Sequence, residues 1–327
     1  MSAIFKALPG IEVPVGAIKH SLTSMWEDTA AKGGAAPSSD DAKATQVNFV
    51  MHLGFNTTVE DAVAQFQTSV AFSRRYPCRV VVLCPMTEDT ATSEVRAKVY
   101  GECHLGKSKG DTRCCEFVML TYSFGARAFI ENQVSICLSS DLPLYYWAHR
   151  FVSSARINQF QYLLGRAKRV LLDSALLPDD ALTFPWPKPE AVRDLAYARL
   201  LPVRQTLGQF LSAYEPTGLI DGLQTVKLRH QASVTAESKV LLGWLKARLE
   251  ACGMKPDQVM FSTEVCDDGV SFDLSFAYSN KTHFHWSGDL SKGGAHFEAD
   301  FGGGRTALST AVSLLKPEAA LGEAMFF

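Results

Sequence analysis

The sequence carries almost no net charge. Its 327 residues include 32 Lys and Arg against 34 Asp and Glu, which leaves a formal charge of −2 at pH 7. A protein whose net charge attracts nucleic acid or anionic lipid has an excess of Lys and Arg instead. We therefore expect no nucleic-acid partner.

Long apolar runs are also missing. No stretch approaches the roughly 20 residues that a membrane-spanning helix requires, and runs such as residues 80–84 have only the length of a strand. The first residues lack the charged segment and the continuous apolar segment of a secretory signal. We therefore expect a cytoplasmic protein with no membrane partner.

The eight cysteines include no C-x-x-C pair, so the usual spacings of redox and zinc sites are absent. A disulfide framework is not expected in a long chain without a secretory signal. We therefore expect mostly buried, reduced thiols that behave as small apolar side chains.

The motifs of common catalytic and cofactor sites are absent as well. The sequence has no G-x-x-x-x-G-K-[ST] loop and no G-x-G-x-x-G that leads from a predicted strand into a helix. It has no G-x-S-x-G turn either, which a hydrolase would use to present its nucleophile. We therefore expect no cofactor.

Strands and helices alternate in the first part of the chain. Residues 47–55 and 79–84 have strand patterns, and Thr57 and Glu60 match a capping box that starts the helix between them. Strand, helix and strand in this order form a βαβ unit. Further strands are predicted at residues 95–104, 114–122, 143–147 and 169–172, and further helices at residues 17–31, 125–138 and 153–164. This alternation is typical of an α/β architecture.

The composition changes after residue 175. Residues 176–218 contain crowded prolines, which keep the backbone extended, and then a long amphipathic helix at residues 190–214. Pro202 interrupts this helix and predicts a kink or a break. We expect this segment to link an N-terminal domain, residues 1–175, to the rest of the chain.

Residues 219–327 follow the order β-α-β-β-β-(β)-α, with the last helix predicted at residues 306–315. The short alternating strands indicate a meander-like sheet. The expected fold class is therefore α/β, with an N-terminal mixed α/β sheet domain and a second, smaller α+β domain.

A basic stretch follows the predicted strand at residues 143–147. It contains no acidic residue, and its cations are Arg150, Arg156, Arg166, Lys168 and Arg169. Ligands of open α/β sheets bind outside the carboxyl ends of strands. An anionic sugar or the acidic patch of a partner would suit this stretch, and a solvated helix face explains the same residues.

Aromatic residues form a second candidate surface. Tyr146 and Trp147 belong to a block of three aromatic residues, a type that is enriched at protein interfaces. An interior strand uses such residues equally well. Phe326 and Phe327 end the chain, where segments are usually loose, and they either dock on a partner or fold back.

Two other candidates lie in the second domain. Arg305 follows three glycines at the start of the predicted last helix, where backbone amides could hold an anion and where a flexible turn is the alternative. His283 and His285 share one face of a predicted strand and, with His296, could hold a metal ion. The polar face of an antiparallel sheet explains the same alternation.

Four segments together resemble the OpcA family, in order and spacing. Residues 77–83 (PCRVVVL) resemble P-S-R-V-I, residues 141–147 (DLPLYYW) resemble D-L-P-V-x-x-W-W, residues 169–174 (RVLLDS) resemble R-V-I-V-D-S, and residues 194–204 (DLAYARLLPVR) resemble D-L-x-W-x-R-L-x-x-W-R. The chain departs from the motifs at Cys78, where serine is common, and at Tyr197 and Val203, where tryptophans are common.

The resemblance implies a two-domain, non-catalytic accessory protein of the oxidative pentose phosphate pathway. Such a protein binds glucose-6-phosphate dehydrogenase and promotes its assembly or allosteric activation. The alternative is a sugar-phosphate-binding protein or enzyme that uses the basic stretch between Arg150 and Arg169, in which case a sugar phosphate would be its ligand.

Overall fold

The computed structural model describes residues 3–34, 36, 46–86, 94–104, 113–267 and 269–327. The chain forms two compact units, the first of Met1–Leu195 with Leu321–Phe327 and the second of Ala196–Ala320. Each unit contains one sheet with helices, so the chain has the expected α/β class. The segment predicted as a separate linker, residues 176–218, is divided between the two units. No helix in the described parts of the chain is long and apolar enough to cross a bilayer.

The first unit is built on eight strands. They are β1 (Ile11–Val13), β2 (Val47–Leu53), β3 (Cys78–Pro85), β4 (Val95–His104), β5 (Arg113–Tyr122), β6 (Leu144–His149), β7 (Arg169–Leu172) and β8 (Val192–Asp194). The helices of this unit are α1 (Ala3–Ala7), α2 (Ile18–Ala31), α3 (Val59–Arg75), α4 (Arg127–Cys137), α5 (Ser154–Ile157) and α6 (Gln161–Arg166).

The strand order of this sheet is β1-β4-β5-β3-β2-β6-β7-β8. The six strands from β5 to β8 in this order are parallel, whereas β4 and β1 are joined to them by antiparallel pairing. Both β2 and most of β3 are buried along their length. Continuous apolar strands of this kind are typical of a parallel sheet that is covered on both faces, and the βαβ prediction is confirmed.

Three local predictions in the first unit need correction. Thr58 rather than Thr57 caps α3, since the N–H of Asp61 donates to its Oγ1 at 3.2 Å. The helix predicted at residues 153–164 is two short helices, α5 and α6. The long helix predicted at residues 190–214 begins instead as β8, which pairs with β7.

The prediction that the cysteines are reduced thiols needs correction for one pair. Cys103 in β4 and Cys114 in β5 are opposite one another in the antiparallel register and form a disulfide. Four of the remaining cysteines are buried thiols and two are partly exposed. The predicted connection between these strands, residues 106–111, and most of the loop predicted at residues 33–41 lie outside the described residues.

The second unit contains a six-stranded sheet. Its strands are β9 (Leu223–His230), β10 (Met260–Val265), β11 (Phe272–Tyr278), β12 (His283–Asp289), β13 (Gly294–Asp300) and β14 (Thr306–Ala311), in the order β10-β9-β11-β12-β13-β14. The helices that follow the first unit in the sequence are α7 (Leu195–Arg199), α8 (Leu201–Leu211), α9 (Pro216–Ile220), α10 (Thr235–Ala251) and α11 (Pro317–Phe326). Pro202 lies in the first turn of α8, where its missing N–H costs nothing.

The main incorrect prediction in this unit is the position of the last helix. Residues 306–311, predicted as helical, form β14, which pairs antiparallel with β13. The helix starts later, at Pro317. The core on one side of the sheet includes the fully buried rings of Phe272, Trp286 and Phe297. Residues 306–311 pair with the edge of β13 that faces away from β12. This pairing outweighs the local helical preference of residues 306–315.

Candidate functional site at the carboxyl edge of the eight-stranded sheet

The order of the strands changes direction at β2. The chain passes from β2 through α3 to β3 on one side, and β6 pairs with β2 on the other side. In open α/β sheets, ligands bind in the crevice outside the carboxyl ends of the strands at such a point. A cleft lies at this edge, and its lining includes Gly54, Phe55, Tyr122, Arg127, Arg156 and Phe160.

Gly54, directly after β2, lies against the backbone that follows β6. Its N–H donates to the carbonyl of His149 at 2.6 Å, and a Cβ atom at this position would lie 2.2 Å from the carbonyl oxygen of Arg150. Only glycine allows this close approach. Arg150 has a φ of 52°, in the left-handed region. Strain of this kind costs about 1–3 kcal/mol and is concentrated at functional sites.

Asp61 joins two side chains from the end of β6 and the residue after it. It accepts from Nε2 of His149 at 2.7 Å and from Nε of Arg150 at 2.5 Å. Burial lowers the pKa of His149, although Asp61 opposes the shift. Burial acts to raise the pKa of Asp61, but hydrogen bonds from His149 and Gln65 bring it below its ordinary value. The charge of Arg150 is therefore compensated by Asp61.

A buried polar chain runs behind the cleft. His52 in β2 contacts the hydroxyl of Tyr122 through Nε2 at 2.7 Å and the hydroxyl of Tyr146 through Nδ1 at 2.9 Å. Burial, with a smaller contribution from Arg127, lowers the pKa of His52 to about 3. The ring is therefore neutral near pH 7, so one ring nitrogen donates and the other accepts. Tyr122 connects this chain to the cleft lining.

Two arginine side chains line the cleft from separate helices. The guanidinium carbon of Arg127, at the start of α4, lies 5.3 Å from the ring centre of Phe160. That of Arg156, in α5, lies 5.7 Å from the ring centre of Phe55. Aromatic faces attract and orient such cations. Neither guanidinium makes an ion pair or a hydrogen bond within the described ranges of the chain, although the charge of Arg127 acts on the nearby carboxylate of Glu131 and opposes the rise of its pKa that burial causes.

Part of this sheet matches a known protein family. Residues 69–184 match the OpcA family model that is described as the glucose-6-phosphate dehydrogenase subunit N-terminal domain. This region of the chain is therefore similar to the OpcA family. The matched region of the OpcA domain includes Tyr122, Arg127, Arg156 and Phe160 of the cleft, whereas Gly54 precedes it. The resemblance inferred from the four sequence motifs is thereby confirmed.

Three curated relatives are named as OpcA proteins of the OxPP cycle. Those from Synechocystis sp., Nostoc punctiforme and Synechococcus elongatus are 27%, 26% and 26% identical to this chain over 180, 183 and 182 residues. The alignments cover 53%, 54% and 53% of this chain, and 37%, 38% and 40% of the relatives. The chain therefore spans less than half the length of the curated OpcA proteins that it matches.

Two solved structures align with much of the chain at low similarity. A super-repressor mutant of Gal80p from Saccharomyces cerevisiae has a TM-score of 0.43 and 8% identity, and covers 86% of this chain and 83% of its own. Glucose-6-phosphate 1-dehydrogenase from Mycobacterium avium has a TM-score of 0.43 and 9% identity, and covers 86% and 87%.

The basic stretch of this chain is divided between opposite edges of its sheet. Arg150 and Arg156 follow the carboxyl end of β6. Arg169 is the first residue of β7, and Arg166 donates from Nη2 to the carbonyl of Ser140 at 3.1 Å near the start of β6. Successive parallel strands start at the same edge, so a stretch that leads from one strand to the next crosses the whole sheet. Arg127, which sequence reasoning missed, takes the place beside Arg156 in the cleft lining.

The aromatic block is part of the core. Tyr146 is completely buried beside His52, and Trp147 is 3% exposed and stacks on Phe49 with ring centres 6.3 Å apart. Both residues are buried, so of the two alternatives that the sequence left open the interior strand applies, and the candidate partner contact of Tyr146 and Trp147 is corrected. At the end of the chain, Phe326 folds back onto the ring of Tyr76 at 4.6 Å.

The candidates in the second unit lie on the polar face of its sheet. Arg305 pairs with Glu298 at 2.9 Å and precedes a strand, so the predicted helix start that would hold an anion does not exist. His283 contacts the same Glu298 at 3.5 Å, and His285 contacts Asp273 at 3.3 Å. Within the described parts of the chain, no group of three or more His, Cys, Asp or Glu is placed to hold a metal ion.

Proposed function

We propose that this chain is an accessory protein that binds glucose-6-phosphate dehydrogenase and promotes its assembly or activation, without catalysing a reaction itself. The observation that carries this proposal is the match of residues 69–184 to a family described as a subunit domain of that enzyme. The names of the curated relatives, which refer to the OxPP cycle, support the same pathway.

An accessory protein of this kind acts through a difference in affinity. If it binds the active form of the dehydrogenase more tightly than the inactive form, the population shifts by that difference. A coupling of about 1–3 kcal/mol would change the fraction of active enzyme by roughly 5- to 150-fold where that fraction is small. No reacting group on the chain itself is required.

One surface of the matched region has the character of a protein interface. Phe129 and Ile136 are seven residues apart on α4, so they share one face of the helix, and they are 56% and 76% exposed. Ile136 also borders a groove of about 640 Å³ between α2 and α4. Exposed apolar patches beside a groove are typical of interaction sites, and this surface supports the proposal.

The test is an assay of glucose-6-phosphate dehydrogenase from the same organism, with and without the chain, at several substrate concentrations. We expect a lower apparent KM or a higher kcat, together with co-elution of the two proteins on a sizing column. Substitution Ile136→Glu should weaken both effects because it places a charge in an apolar contact.

The matched control is Leu182→Glu, which introduces the same charge at an apolar residue that is 45% exposed in the same unit. This variant should behave as the unchanged protein does. Failure of the unchanged chain to bind the dehydrogenase or to alter its kinetics would contradict the proposed function.

A further inference from the structure

Two arginines of the cleft at the carboxyl edge have no ion-pair partner among the described residues. Arg150 is paired with Asp61, but Arg127 and Arg156 have no carboxylate partner in the described ranges of the chain. Glu131, one helical turn after Arg127, accepts from the N–H of Leu163 at 3.0 Å and interacts with Arg127 only at longer range. Two free guanidinium groups at one edge favour an anion with several oxygens.

The aromatic rings of the cleft fix these two groups. Phe160 is buried and lies under the guanidinium of Arg127, while Phe55 is 38% exposed and lies under that of Arg156. A guanidinium that is attracted to an aromatic ring keeps its N–H groups available to an anion.

Packing and hydrogen bonds on the inner side of the cleft hold its backbone in place. Gly54 has no room for a side chain, Arg150 has a left-handed backbone, and Tyr122 is tied to the buried His52. A wall that is built in this way is preorganised, so a ligand does not have to order it. A recessed, rigid edge of a parallel sheet is also the place where small ligands bind in α/β proteins.

We propose that the mouth of this cleft, which encloses only about 20 Å³, binds the phosphate of a small phosphomonoester, such as a sugar phosphate, between Arg127 and Arg156, with the organic part of the ligand outside the cleft. The site does not depend on the proposed accessory function, because it concerns a ligand of the chain alone. An acidic side chain of a partner protein is the competing occupant, and the experiment below separates the two.

The experiment is isothermal titration calorimetry of the full chain at low ionic strength, with inorganic phosphate and with glucose 6-phosphate as probes. We expect saturable binding of glucose 6-phosphate and competition by phosphate. Each of the substitutions Arg127→Gln and Arg156→Gln should lower the affinity about tenfold or more, because each removes hydrogen bonds to a charged group.

The control variant is Arg166→Gln, which removes an exposed arginine at the opposite edge of the same sheet and should leave the affinity unchanged. Circular dichroism and thermal unfolding verify that each variant folds, and Arg156→Gln alone suffices if Arg127→Gln does not fold. Absence of saturable binding, or equal affinities for all variants, would overturn the proposal.

The dehydrogenase assay distinguishes this proposal from the proposed function. If the arginine variants lose phosphate binding but still activate the dehydrogenase, the cleft is a ligand site that is separate from the partner surface. If they keep phosphate binding but lose activation, the arginines contact the partner and the phosphate site is wrong. Loss of activation by Ile136→Glu has no bearing on the cleft.

Discussion

The two sheets of this protein bury their strands in different ways. All seven residues of β2 in the eight-stranded sheet are buried, whereas β12 in the six-stranded sheet alternates between buried and partly exposed residues. Parallel strands joined through helices are covered on both faces, and an antiparallel sheet can leave one face to water. A polar side chain in β2 must therefore find its partners inside the protein, while one in β12 can use solvent.

The polar residues of the two sheets differ accordingly. In the first sheet, Asn48 is held by the backbone of Ser139, with distances of 2.8 and 3.0 Å, and His52 is held by two tyrosines. In the second, His283 and Glu298 are partly exposed and 3.5 Å apart. Fixed networks inside the first sheet leave only the groups beyond its strand ends free for a ligand, and this is where the candidate cleft lies.

The largest effect that would test this difference between the two sheets is a loss of stability of the first sheet at acidic pH. The pKa of His52 is about 3 in the folded protein, against an ordinary value of 6.5. Between these values the unfolded chain binds a proton that the folded chain does not, so the free energy of unfolding falls as the pH falls, by up to about 5 kcal/mol. This stability is fully present above pH 6.5. Amide hydrogen exchange, corrected for its intrinsic rate, should therefore accelerate in β2 over this range.

The variant His52→Gln separates this effect from general acid unfolding, because its amide can bond to both tyrosine hydroxyls without titrating. We expect a flatter pH dependence of exchange in β2, with a residual slope from His149, whose pKa burial lowers as well. An unchanged pH dependence in this variant would rule out His52 as the source.

The second prediction compares an acidic residue in each sheet. Glu116 in β5 is 5% exposed and accepts from Arg79 at 2.6 Å and from Nε1 of Trp26 at 3.0 Å. Substitution Glu116→Ala should destabilise the first unit by about 3–5 kcal/mol, because it leaves a largely buried cation without its partner. Urea unfolding and exchange in β3 and β5 would measure the loss.

Glu298→Ala is the matched substitution in the second sheet, where the carboxylate lies on the partly exposed face and pairs with Arg305. No resolvable change in exchange is expected in β12 or β13, since exposed ion pairs contribute little. Equal losses at Glu116 and Glu298 would break the comparison between the sheets.

The third and smallest effect concerns one hydroxyl in each unit. Tyr146→Phe removes a partner from Nδ1 of the fully buried His52, and we expect a loss of about 1–3 kcal/mol because a buried polar atom is left unsatisfied. Tyr278→Phe removes a bond of 2.9 Å to the carbonyl of Leu219 and should cost about 1 kcal/mol. Urea unfolding measures both values. A larger loss for Tyr278→Phe would contradict the view that the first sheet depends more on its internal partners.

Much of the fold could be predicted from local patterns. The βαβ unit at β2, α3 and β3 was visible because burial on both faces produces continuous apolar strands. The error at residues 306–311 has the opposite cause. Their alternation of small and β-branched residues is compatible with helix or strand, and the pairing of β14 with β13 decided between them. The disulfide of Cys103 and Cys114 was missed because it depends on the register of two strands.

The candidate site could be predicted only in part. Arg156 was visible because it follows a strand in a basic stretch, and the carboxyl end of a strand is the usual ligand edge. Arg127 was not, because the residues around it carry no signal of a binding site. For Tyr146 the sequence left a partner surface and an interior strand open, since an aromatic residue suits both places, and the residue lies in the core.

The sequence by itself determined the alternation of strands and helices, the family motifs and the residues that follow each strand. These features depend on neighbours along the chain, where burial and turns leave a periodic pattern. Only the tertiary structure decided that Arg150 is neutralised by Asp61, that Arg166 lies at the far edge of the sheet, and that Arg127 joins Arg156. These outcomes depend on strand order and packing between residues distant in sequence, and local composition does not specify either one.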